Sequence, residues 1–181
     1  DQPATDWRLG AAALGNHVLS SCPRWLVLVQ GVGESPGAMG VPLDANTDAF
    51  DGENLQGAET KPVELTDPTK RVYAPQTWGP DRPGATPKSY FASIRDWGRG
   101  GVGSLWEQRF GYLTRSRSPA AVGPVVMSAI GGAYSSEVGE RWHDWALSYC
   151  ATRQFGVFYS SLTPHPEHSH LGLIRDDWSG E

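Results

Sequence analysis

The sequence predicts an α/β barrel architecture on two observations. Four apolar runs of strand length alternate with segments of helical periodicity, and each run is apolar on both faces, as strands sheltered by flanking helices are. Asp6 is placed to cap a first helix running to about Ser20, with Trp7, Ala11, Leu14 and Val18 at helical spacing. Trp25 to Gln30 reads as the first strand, buried on both faces. From Glu34 to about Lys70 the chain is rich in Gly, Pro and Asp without periodicity. That is far longer than the usual connection of ~4–6 residues, and in barrels such excursions after a strand build the binding cleft.

Arg71 to Pro75 reads as the second strand, and Gly79-Pro80 and Pro83-Gly84 as turns. Ser89 to Trp97 and Ser104 to Leu113 read as short helices around a glycine-rich break. The break, Gly98-Arg99-Gly100-Gly101-Val102-Gly103, matches G-x-G-x-x-G in form. It follows a helical segment, whereas the nucleotide fingerprint follows a strand, so it reads as a break only. Val125 to Ile130 is the third strand. Ser135 to Gln154 is the best-defined helix, with Trp142, Trp145, Ala146, Tyr149 and Cys150 on its apolar face. Phe155 to Ser160 is the fourth strand.

At 181 residues the chain can hold a single domain, 1–181, with a sizeable core. A net charge of −5 without a basic run argues against nucleic-acid partners, whose binding rests on neutralising phosphates. No apolar run approaches the ~18 residues of a membrane span. Eight Trp and six Tyr are enough either to pack helices on a barrel or to stack on sugar rings. Nothing calls for a cofactor.

Six short segments carry a more specific signal. Asp6-Trp7-Arg8-Leu9 opens the first helix. Trp25-Leu26-Val27-Leu28-Val29-Gln30-Gly31-Val32-Gly33 is similar to W-L-I-x-V-E-G-V-G, and Glu53-Asn54-Leu55-Gln56-Gly57 to G-x-N-L-x-G. Arg71 to Pro80 is similar to R-V-V-Y-S-P-H-D-Y-G-P, and Pro124 to Gly132 to P-V-W-x-G-E-F-G-G. Gly156 to Pro164 resembles the Y-W-S-L-N-P strand, with Leu171 to Ile174 and Asp176-Asp177-Trp178 resembling its sequel. In this order they resemble glycoside hydrolase family 5, the cellulase-type (β/α)8 barrels.

The resemblance runs from the helix after strand four through strands five to eight, and a whole barrel takes roughly 250 residues. It therefore implies the C-terminal half of a TIM barrel, with open sheet edges and an unfilled inner layer. The missing N-terminal half is expected from the same precursor or a separate chain. An opening Asp1 without methionine or signal peptide is what a processed fragment would show. An oligomer of like or unlike chains is left open. In the barrel reading Cys22 and Cys150 lie near the ends of helices that are not neighbours, so a bond between them is not expected, since bridged Cα atoms lie within ~7 Å. Each is left to pair with the missing half or to stay a thiol, and the family implies secretion, where disulfides persist.

The reactive positions of the family are altered. Retaining glycosidases need an acid/base and a nucleophilic carboxyl ~5–5.5 Å apart. The acid/base of the family lies upstream of this chain, and the nucleophile position is Ala129, which cannot form a glycosyl-enzyme. Gln76 and Trp78 replace the histidine and tyrosine of H-x-Y; Gln76 cannot titrate and the Trp78 indole donates but cannot accept. Ser160 replaces the stacking tryptophan and Thr163 the asparagine. With framework kept and reactive groups gone, the expected function is that of a catalytically inactive module, structural or glycan-binding, in an extracellular assembly. Asn54, Gln76, Trp78 and Tyr159 are candidates for a glycan-facing wall.

The alternative is an active endo-β-glucanase with relocated carboxylates. Glu34, Glu53, Glu59, Glu137 and Glu140 are the acids near the expected cleft, and an inverting pair would tolerate ~6.5–9.5 Å. Each reads more simply as a solvated surface acid. His165, His168 and His170 around Glu167 form the one metal-like cluster. A Pro-interrupted loop is a poor preformed site, so no metal is expected there. His17 and His143 read as surface residues of helices.

Overall fold

Asp6 caps the first helix as its sequence position suggests. In the computed structural model, which describes residues 6–33, 49–80, 91, 101–115, 123–132, 136–161 and 174, its carboxylate accepts the Arg8 N–H at the start of helix α1, Trp7–Ser21. The buried stripe of α1 is Ala11, Gly15 and Leu19. Trp7, Leu14 and Val18, expected to face the core with Ala11, stay largely exposed. They line a shallow apolar groove between α1 and the first strand, together with Trp25, Leu26 and Leu28.

The four expected strands form, and the second, expected to end at Pro75, resumes beyond it as a further strand. Strand β1 is Val27–Val29, β2 is Arg71–Tyr73, β3 is Gln76–Trp78, β4 is Val126–Gly131 and β5 is Gly156–Tyr159. All ladders are parallel: β1 with β2, β3 with β4, and β4 with β5. The segment 71–78 changes partner at Pro75, which has no N–H to donate. Ahead of it Val27 to Val29 pair with Arg71 to Tyr73, and the Ala74 N–H donates to the Val29 carbonyl. Beyond it Gln76 to Trp78 pair with Ala129 to Gly131, and a Tyr73–Val125 bridge joins the two sheets. The spatial order is therefore residues 27–29, 71–78, 126–131 and 156–159, as for neighbouring strands of a (β/α)8 barrel.

The outermost strands correct one expectation. The apolar runs Trp25 to Gln30 and Phe155 to Ser160 predict burial on both faces, but Trp25 is 63% exposed, Leu28 50% and Phe158 61%. An outer strand of a partial barrel has one edge without a ladder and an inner face without a neighbouring layer, whatever its own apolarity.

Two helices cover the outside of the sheet. Helix α2, Val102–Arg109, continues as a 3₁₀ turn at Gly111–Thr114, so the helix expected to run to Leu113 is interrupted at Phe110. Helix α3, Glu137–Arg153, starts on Ser136, whose hydroxyl accepts the Gly139 N–H, and ends on Gln154 in the left-handed region at φ 58°. Its buried residues are Gly139, Trp142, His143, Ala146 and Cys150, with Trp145 and Tyr149 packed on the rim of the core. Trp106 of α2 is the centre of this layer, in ring contact with Phe110, Trp142, Trp145 and Tyr149.

His143 is thus a correction: it is buried, not a surface residue. Its Nδ1–H donates to the Gly139 carbonyl at 2.8 Å, since a carbonyl can only accept. Nε2 is then the acceptor, and the Tyr159 hydroxyl donates to it at 3.0 Å. His17 is exposed, as expected.

The long excursion is also more built than its composition suggests. Phe50, Leu55, Ala58, Val63 and Leu65 are buried, and the Asn16 side chain ties it to α1 through the Glu64 carbonyl and the Thr66 N–H.

Cys22 and Cys150 are both free thiols. Burial pushes the Cys150 thiol up to about 12. Iodoacetamide at about pH 8 should therefore leave Cys150 unmodified in the folded protein and label it at once in denaturant, which peptide mass mapping would show; labelling of folded protein would contradict its place on the buried face of α3.

Candidate active site

Strands β3, β4 and β5 end side by side, and the four altered positions sit at those ends. Gln76 pairs with Ala129 and Trp78 with Gly131. The Ser160 N–H donates to the Ile130 carbonyl at 2.9 Å. A Cβ on Gly131 would run into the Ser160 carbonyl and come within 3.3 Å of the Trp78 ring, so only glycine lets these three strands close up here. The fold thus gathers Ala129, Gln76, Trp78 and Ser160 into one patch; Thr163 lies outside the described residues.

Where a nucleophile would need a carboxylate, Ala129 offers a methyl group. Opposite it, the Gln76 Nε2 donates to the Asp51 carbonyl at 2.6 Å. Because that carbonyl can only accept, the amide orientation is fixed and Oε1 is left as its acceptor. Asp51 tops a tight turn: the Glu53 N–H donates to the Phe50 carbonyl, and the Phe50 N–H donates to Glu53 Oε2 at 2.9 Å. Gly52 sits in this turn at φ 82°, and a Cβ there would lie 2.8 Å from the Gln76 Cγ.

Glu53 departs most from its sequence reading. It is no solvated acid but a fully buried carboxylate, 2.6 Å from the guanidinium of Arg109, itself fully buried. Its Oε1 accepts the Thr77 hydroxyl at 3.0 Å. Burial pushes its pKa above the usual carboxylate range, while Arg109, the Phe50 N–H and Thr77 pull it back. The fully buried guanidinium 2.6 Å away favours the ionised form of the carboxylate. Glu59, Glu137 and Glu140 are exposed, the last two in the first turn of α3, where they complement the helix dipole. Glu34 lies outside the described residues.

Besides Gln76, two further candidates for a glycan wall are engaged within the fold. Asn54 exchanges backbone hydrogen bonds with Val32, and its Oδ1 accepts the Gln56 N–H at 3.0 Å. Tyr159 is held by His143 of α3. Gln76 and Trp78 are partly exposed at the strand ends. His165, His168, His170 and Glu167 lie outside the described residues. Among those described, no group of three His, Cys, Asp or Glu could hold a metal ion, and no helix is long and apolar enough to cross a membrane.

The patch also contains residues not singled out from the sequence. Ser128, beside Ala129, donates to the Ala74 carbonyl at 2.8 Å and accepts from Gln30 Nε2 at 3.4 Å, linking β4 to the ends of β1 and β2. Gln30 stands where the quoted W-L-I-x-V-E-G-V-G pattern has glutamate, so a second carboxyl of that pattern is an amide here. The signal lay in the motif itself. Asp51, exposed on the turn, was missed because nothing in a Gly- and Asp-rich loop marks one acid over another.

Four parallel strands, helices outside and a site at the strand ends define part of a (β/α)8-type barrel. No family model matches the chain. An endoglucanase of Paenibacillus polymyxa is 30% identical over 179 residues, covering 97% of this chain and 41% of that protein. The major extracellular endoglucanase of Xanthomonas campestris pv. campestris is 28% identical over 180 residues, covering 97% and 33%. Among solved structures, a hyperthermophilic endocellulase of Pyrococcus horikoshii superposes with a TM-score of 0.82 at 27% identity, covering 99% of this chain and 46% of that one. Two further structures of that endocellulase, each with one glutamate changed to alanine, are complexes with cellotetraose. A β-glucanase of Saccharophagus degradans shares the fold alone, at a TM-score of 0.63 and 15% identity. The chain thus has the cellulase-type fold of glycoside hydrolase family 5 and is a partial barrel, its C-terminal half. It spans less than half the length of these relatives.

Proposed function

We propose that this chain supplies the altered half of a cellulase-type barrel that binds β-linked glucan without cleaving it, in a secreted assembly. The observation that carries the reading is the pairing of Ala129 with Gln76. At the place where the family resemblance puts the nucleophile there is a methyl group, facing an amide that does not titrate. Removing a nucleophile costs on the order of several kcal/mol of barrier, while sugar contacts made by amides, hydroxyls and an indole can persist. The endocellulase variants that hold cellotetraose with one glutamate changed to alanine support separating binding from cleavage. Secretion is inferred from the extracellular relative of Xanthomonas campestris pv. campestris. An N-terminal half of the barrel, in the same or another chain, fits the uncovered edges of β1 and β5.

A purely structural role is the second reading, and the engagement of Asn54 and Tyr159 within the fold favours it. Native mass spectrometry of the assembled protein with β-1,4-gluco- and manno-oligosaccharides separates the readings. Intact sugar adducts without products are the expected result. Cleavage products abolished by replacing an acid of this chain would overturn the proposal, and neither adduct nor product would leave the structural role.

A further inference from the structure

We propose that Glu53 is a positioning residue that sets the amide of Gln76 for a bound glycan, acting through the turn at residues 50–53; this rests on the reading of Gln76 as a glycan contact. The Gln76 side chain is held at one point and its neighbour Thr77 at another, and both lead to one carboxylate. Its side-chain nitrogen is tied to the Asp51 carbonyl at 2.6 Å, at the crest of a turn that Glu53 Oε2 closes from inside by accepting the Phe50 N–H at 2.9 Å. Its backbone neighbour Thr77 donates its hydroxyl to Glu53 Oε1 at 3.0 Å. Arg109, 2.6 Å from Oε2, holds the carboxylate in place from α2.

A pair serving only to fasten the loop could direct its oxygens anywhere along it. Here, besides the bond from Arg109, the carboxylate accepts from the turn that orients Gln76 and from the residue beside it. Gly52 completes the coupling, because the turn backbone packs against the Gln76 Cγ with no room for a side chain. A shift of the turn therefore becomes a shift of the amide.

The test uses the assembled protein with four variants: Glu53→Gln, Gln76→Ala, the two combined, and Thr77→Val, which removes one hydrogen bond and keeps the ion pair. The first readout needs no sugar. The Gln76 side-chain amide resonance, assigned by its loss in Gln76→Ala, should move toward the solvent-exposed shift in Glu53→Gln, and less far in Thr77→Val. The second is cellotetraose affinity by calorimetry, well below the melting temperature of every variant. Glu53→Gln should weaken binding about five- to tenfold, the worth of one hydrogen bond, and adding Gln76→Ala should cost less than about twofold more, because the residues act as one unit. Ala146→Gly, which destabilises the helix layer alone, should leave both readouts unchanged. An unmoved resonance in Glu53→Gln and Thr77→Val, or fully additive losses in affinity, overturns the proposal. If the unaltered protein binds no sugar, the glycan reading falls and the resonance alone decides the positioning role.

Discussion

Replacing Arg109 by methionine is expected to lower the unfolding free energy by about 3–5 kcal/mol, because it strands a carboxylate inside the fold. Arg109 and Glu53 are both fully buried, 2.6 Å apart. Glu53 would keep neutral hydrogen bonds, those from Phe50 and Thr77 among them, and lose the cation beside it. The double replacement Glu53→Leu with Arg109→Met removes both charges together and should recover much of the loss, since a buried pair stabilises little against apolar side chains of similar volume. Denaturant unfolding of the parent, the single and the double variant checks this. A single variant as stable as the parent, or a double variant that loses more than the single, would contradict the buried-pair geometry.

Trp106→Ala should cost about 3–5 kcal/mol by a different route, through lost burial and a cavity. Trp106 is wholly buried, with its ring centroid 4.8 Å from that of Trp145, 5.2 Å from Tyr149 and 5.4 Å from Phe110. Trp106 is itself on α2, Phe110 directly follows that helix, and Trp145 and Tyr149 sit on α3, so truncation loosens the two helices from each other. Denaturant unfolding followed by near-ultraviolet circular dichroism reports both the midpoint and the order of the aromatic layer. A loss below about 1 kcal/mol would mean that the layer collapses into the space at little cost.

The order of strands and helices was legible because each element carries a local signal. The apolar residues of α3 recur at helical spacing, so its approximate span and its buried face could be read, though its cap falls on Ser136 and the expected span opens at Ser135. The patch of Ala129, Gln76, Trp78 and Ser160 was legible through motif order alone, since parallel barrel strands put their C-terminal ends together. Other features depend on partners distant in sequence. Glu53 is a charged residue in an aperiodic loop, and Arg109 stands 56 positions away, so nothing local announces their burial. His143 follows Trp142 at the right helical phase, but residue type argues for the surface, and only Tyr159 on the neighbouring strand satisfies its ring. The exposure of Trp25 and Phe158 was unreadable for another reason. Apolarity tells which faces want cover, and the cover belongs to strands outside this sheet.

Those two strands also decide how the chain can associate. Among the described residues β1 and β5 stand at the two ends of the strand order, each with one edge that carries no ladder, and these edges differ from each other, so contact between them is head-to-tail. Such contacts either close into a ring or run on as an open filament, according to the rotation each unit contributes. Four strands are half of an eight-stranded ring. One complementary arc of four, met at both ends at once, leaves nothing exposed, whereas an arc of different curvature would leave an edge to recruit another. The stoichiometry of any stable assembly is therefore a property of sheet curvature before it is a property of any single contact.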